Sequence, residues 1–198
     1  MKLRQLLFAA LFAALMCATK FIPPIQIIPN LPITFQTFVV FLAGLMLRPL
    51  YSFASMMTYT ALGLIGLPVF TYGGGIGYPL AQPSFGFIIG FSICALLISL
   101  FVRKNLIMLT SKNQHNAKVC VIVKIIFFSL LSICVLYVIG IAYLYVWLEK
   151  NTENVMSIWT VIKTYTGFYL LIDIVKFGFA IPLGYAVLKR LPPKFKQI

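Results

Sequence analysis

Long, continuous apolar runs divide this chain, and most of them are closed by proline or by basic residues. That pattern constrains the fold more than any other feature. A helix needs about 20 apolar residues to cross a bilayer, fewer where the bilayer thins. Six runs qualify, at about 5–22, 33–47, 51–67, 84–102, 120–148 and 164–188. In lipid, backbone polar groups must be bonded within their own segment or inside a closed barrel. The runs do not alternate every second residue as barrel strands do. The expected fold is therefore an all-α membrane protein, a six-transmembrane-helix bundle forming one domain over residues 1–198. Composition agrees, with 62% hydrophobic and 10% charged residues, against about 25% charged in a soluble domain.

Punctuation and charge set the expected topology. Pro23, Pro24, Pro29 and Pro32 separate the first two runs, and Arg48 with Pro49 separates the next two. With the N-terminus inside, the cytoplasmic segments hold Lys2, Arg4, Arg48, Arg103, Lys104, Lys112, Lys118, Lys189, Arg190, Lys194 and Lys196. The opposite side holds only Lys20, Lys150 and Lys163. Basic residues favour the cytoplasmic side, so both termini are expected there, in a multi-pass membrane protein. The same distribution argues against a nucleic-acid partner, because the net charge of +13 lies in gaps between runs and not along one stripe. The opening, Met1 to Arg4 followed by apolar residues, resembles a signal peptide. The run continues through Phe21 and Ile22, so it is read as the first spanning helix.

Little supports catalysis. The chain has three carboxylates and one histidine. Glu149 and Glu153 are expected on the outer side, and His115 falls in the cytoplasmic connector 103–118. No HExxH motif or phosphate-binding glycine motif is present. Cys17, Cys94, Cys120 and Cys134 form no CxxC pair and have no His at ligand spacing, so no metal or cofactor is expected. Any energy for pumping must come from a partner.

Two features point to binding. Asp173 and Lys176 interrupt an apolar run, and their i,i+3 spacing puts both on one helix face. Ionisable groups in a span face a partner, a cavity or a pathway. The pair could be an internal ion pair or a polar site for a small ligand. On the first helix, Ala10, Ala14 and Ala18 recur every four residues and form a smooth ridge that another helix could approach closely. The outer loop 68–83, with four glycines within 73–77, could cover a pocket.

Several segments together resemble the BioY family. Leu31 to Gly44 (LPITFQTFVVFLAG) is similar to the entry into that family's second helix. Leu62 to Phe70, with Gly73–Gly75 after it, is similar to its third helix and glycine-rich loop. Pro83, Gly86, Gly90 and Phe91 match its PTGGYLxGF signature, with Ser84, Phe85 and Phe87 departing from it. Asp173 to Lys176 is similar to its DLIK motif, with Leu171 and Ile172 where the family has Pro-Gly. The resemblance implies the S component of an energy-coupling factor (ECF) transporter, which captures biotin from outside and is not an enzyme. It also implies a transmembrane coupling subunit and two ATPase subunits as partners, with Ala10, Ala14 and Ala18 as the docking ridge. Asp173 and Lys176 are then expected to contact the ligand, the carboxylate meeting ureido N–H groups and the ammonium meeting the ligand's carboxylate. Tyr78 and Gln82 from the loop and Gln36 from the second helix are expected beside them. An S component for thiamin or riboflavin, or a small membrane enzyme, remains as an alternative.

Overall fold

A computed structural model describes residues 2–28, 31–109, 118–152 and 157–190. Helix α1 covers Lys2–Ala18 and ends in a 3₁₀ turn at Thr19–Phe21. Strands β1 (Ile25–Ile28) and β2 (Leu31–Ile33) pair antiparallel. Then follow α2 (Gln36–Met46), α3 (Pro49–Ile65), the single turn α4 (Tyr78–Ala81) and α5 (Phe85–Leu97). A π-helical stretch, Ile98–Arg103, joins α5 to α6 (Lys104–Leu109). The two long helices α7 (Lys118–Asn151) and α8 (Ile158–Arg190) complete the bundle.

The described residues are mostly helical, and four stretches among them are long and apolar enough to cross a membrane: Leu3–Phe21, Phe85–Leu109, Lys118–Asn151 and Ile158–Arg190. Two of the expected spans are shorter. Helix α3 has 17 residues and α2 has 11, so α2 is only about 16 Å long at 1.5 Å per residue. Its position explains the shortness. Helix α2 packs against α1, α3, α5 and α8, and Val40, Phe41, Ala43 and Leu45 are wholly buried. Irregular backbone at membrane depth is tolerated where protein surrounds it or where it lines a cavity, and the segment before α2 lines a cavity.

Three further expectations change. The segment 23–32, expected as a connection between the first two spans, contributes the paired strands Ile25–Ile28 and Leu31–Ile33. The basic connector starts later than 103, because α5 continues through the π-helical stretch into α6. Arg103, expected in a cytoplasmic segment, is 1% exposed within that stretch. Lys163, expected just before the last span, lies within α8, which begins earlier, at Ile158. Lys112, His115, Glu153, Lys194 and Lys196 fall outside the described residues.

Missing side chains fix the seam between α5 and α7. A Cβ on Gly86 would stand 2.3 Å from Tyr143 Cβ, and one on Gly140 would stand 2.5 Å from the Phe87 ring. The two helices therefore interlock, each placing an aromatic ring over the other's glycine. The same device seats the loop after α3. Phe70 is fully buried against Gly63, where a Cβ would be 2.0 Å from the ring. Gly75 N–H donates to Gly63 O at 2.7 Å, which ties the loop to the end of α3. Gly73 and Gly75 have φ of 129° and 115°, a conformation in which a Cβ would be strained.

Candidate functional site

The buried charge pair determines which elements meet. Asp173, on α8, is 6% exposed, and an ionised carboxylate taken out of water needs donors. Three converge on it. Thr37 Oγ1, from the first turn of α2, donates to Oδ1 at 2.7 Å. Lys176 Nζ, one turn further along α8, donates to the same oxygen at 2.9 Å. Tyr137, from α7, donates its hydroxyl to Oδ2 at 2.9 Å. Lys176 places its other N–H groups on Thr37 Oγ1 at 2.9 Å and on the Thr34 carbonyl at 2.8 Å. Three helices and the segment leaving β2 are thus joined through one carboxylate–ammonium pair.

The pair stands in a partly enclosed cavity of about 50 Å³. Its polar lining comes from Thr34, Gln36, Thr37, Thr71, Ser84, Tyr137, Tyr169, Asp173 and Lys176, and its apolar lining from Leu31, Pro32, Ile33, Phe87, Ile88, Phe91 and Ile172. Tyr169 fastens the hairpin over it, donating to Leu31 O while accepting from Ile28 N–H.

Of the residues expected at a site, the structure brings Asp173, Lys176 and Gln36 to this cavity. The Gln36 amide also donates to the Tyr59 hydroxyl at 2.7 Å. Tyr78 and Gln82 do not line it. Tyr78 packs against Phe70 and Phe85, with ring centroids 4.6 and 6.3 Å away, and burial pushes its phenol pKa up. Gln82 is half-buried and ends α4, its N–H donating to Tyr78 O at 2.9 Å. The loop instead contributes Thr71, and Ser84 follows it at the start of α5. Sequence reasoning also missed Thr34 and Thr37. Their signal was available, since they are hydroxyls three residues apart flanking Gln36 in an otherwise apolar stretch. Tyr137 and Tyr169 gave no comparable signal among ten tyrosines.

On the far side of α1, Ala10, Ala14 and Ala18 are exposed, while Ala9, Ala13 and Met16 are buried. The three exposed alanines line a groove of about 650 Å³, with Thr58 and Leu62 of α3 and the segment Leu67–Val69. Helices α1 and α3 approach closely here, and Ser55 Oγ donates to Ala9 O at 2.8 Å.

Known proteins resemble this chain in sequence and in fold. A probable biotin transporter BioY from Lysinibacillus sphaericus is 36% identical over 154 residues, covering 75% of this chain and 70% of the relative. A probable biotin transporter BioY from Bacillus subtilis (strain 168) is 38% identical over 106 residues, covering 52% and 56%. The second alignment thus spans little more than half of that relative. The crystal structure of the S-component for biotin from an ECF-type ABC transporter superposes with a TM-score of 0.70 at 25% identity, covering 98% of this chain and 95% of that one. The BioY family model matches residues 1–193, and the chain belongs to the BioY family.

Proposed function

We propose that the chain is the substrate-binding subunit of a biotin importer, capturing the vitamin at the outer side of a bacterial inner membrane. One observation carries the reading: a carboxylate and an ammonium, coordinated by three helices, line a cavity in a protein of the BioY family. The two groups lie 2.9 Å apart, too close to serve opposite ends of a ligand with a long side chain. They therefore address the ureido ring together. Asp173 accepts from a ring N–H and Lys176 donates to the ring oxygen, so the expectation of one residue for each end of the ligand gives way. Gln36 stands beside them. Tyr78 and Gln82 act indirectly, by supporting the loop that carries Thr71.

The membrane arrangement belongs to the same reading. The chain is one domain crossing the bilayer six times, with α2 and α3 as short inner crossings and both termini cytoplasmic. The excess of basic residues on that side supports the orientation. A transmembrane coupling subunit with two ATPase subunits supplies energy, and it docks on the exposed ridge of Ala10, Ala14 and Ala18.

Equilibrium titration of the purified chain with biotin, thiamin and riboflavin, without ATP, tests the assignment. Biotin is expected to bind in the nanomolar range, about −12 kcal/mol. Binding of thiamin or riboflavin in its place would reassign the ligand.

A further inference from the structure

The hydrogen-bond directions at Asp173 limit what the cavity accepts. A carboxylate paired with an ammonium is an acceptor only. The Tyr137 hydroxyl, 2.9 Å from Oδ2, must therefore point its proton at Asp173. A free tyrosine hydroxyl offers a donor or an acceptor to its surroundings, whereas this one keeps only its lone pairs. Thr37 is committed in the same way, with its proton on Oδ1 while it accepts from Lys176. Tyr137 is 5% exposed and lines the cavity, its ring held edge-on by Phe87 at 5.5 Å. The wall formed by Asp173, Thr37 and Tyr137 consequently presents acceptors to a ligand. Lys176 is the charged donor beside this wall, and because its three N–H groups are engaged within the protein, meeting a ligand oxygen means exchanging one of those bonds.

We infer that Tyr137 is a specificity determinant: with its proton held by Asp173, its oxygen accepts one ring N–H of the ligand and excludes ligands that present an acceptor or an alkyl group there. This inference rests on the biotin reading and extends it to a residue on a third helix. The chemistry recognised is a cyclic urea with an unsubstituted N–H. A ligand oxygen in its place would face the Tyr137 oxygen lone pair to lone pair. An N-methyl group would leave that buried oxygen without its ligand partner, and rejecting an analogue for a missing hydrogen bond is how polar sites discriminate most strongly.

The test uses the full-length chain in detergent, titrated with biotin and with its two mono-N-methyl ureido isomers. Wild-type protein is expected to bind at least one isomer about tenfold or more weaker than biotin, the scale of one lost hydrogen bond. In Tyr137→Phe, biotin affinity should fall by about tenfold, and discrimination against one isomer should shrink while that against the other is retained. Equal loss of affinity for all three ligands would make Tyr137 a support for Asp173 alone and overturn the inference. Undiminished biotin binding by Tyr137→Phe would do the same. The wild-type arm needs no variant to fold, since equal binding of biotin and both isomers also overturns it. Absence of biotin binding by the wild type would instead remove the underlying reading, and the inference with it.

Discussion

Lys176 Nζ lies 2.9 Å from Asp173 Oδ1, one turn away on the same helix, and Thr37 bonds to both. A ligand entering this triangle meets charges that already compensate one another. Removing either charge leaves the other buried and unpaired, which costs more than the pair itself contributes.

Asp173→Asn and Lys176→Met are each expected to weaken biotin binding by about 1.5–3 kcal/mol, the range for a hydrogen bond to a charged group. Each should also lower thermal stability. The double variant should recover part of that stability, because no lone charge remains, but it should not recover binding. Titration and melting of the three variants check this. Full affinity in both folded single variants would reduce the pair to a structural ion pair.

Tyr169 is expected to control access to the cavity, because it holds the strands that cover it. The cavity of about 50 Å³ is far smaller than ligand pockets, which run from about 300 Å³ upward, so a ligand of biotin's size would have to displace part of the lining to enter it. The covering hairpin has an exposed first strand, and Tyr169 bonds to both of its strands. In Tyr169→Phe, each lost bond is worth about 1 kcal/mol, or roughly fivefold. Entry and release of labelled biotin should both accelerate by about that factor, with the equilibrium constant changing much less. Exchange rates equal to the wild type would show that the ligand enters by displacing another segment.

The segments that cross the bundle were legible because lipid allows so few alternatives: continuous apolar runs read as helices wherever they occur. Asp173 and Lys176 were legible for the same reason, as charges stand out in such a run. What escaped depended on contacts distant in sequence. Ile25–Ile28 alternates only once, at Gln26, too briefly to mark a strand, and Tyr169, about 140 residues away, ties it to β2. The loop 68–83 was recognised, but its side chains were misjudged. Phe70 drops onto Gly63, carrying Tyr78 into an aromatic cluster and leaving Thr71 at the cavity. No local pattern encodes that seat. Tyr137 matters only because α7 brings it against Asp173.

Docking and binding should be separable on α1. Ala10, Ala14 and Ala18 are exposed along the groove, while Ala9, Ala13 and Met16 are buried. Between helices in lipid there is no hydrophobic drive, so close approach depends on small side chains and the packing they permit. A large ring at the middle of the ridge would hold a partner helix away. Position 14 is exposed and does not line the cavity at Asp173. Ala14→Trp is therefore expected to keep biotin affinity within about threefold, under 1 kcal/mol. It should nevertheless lose co-purification with the coupling subunit and lose ATP-driven uptake. The corresponding substitution at Ala13, which is 3% exposed, should instead destabilise the subunit itself, since overpacking a filled interior costs about 1–3 kcal/mol or more. Normal assembly and uptake in Ala14→Trp would mean that the coupling subunit meets another face of the bundle.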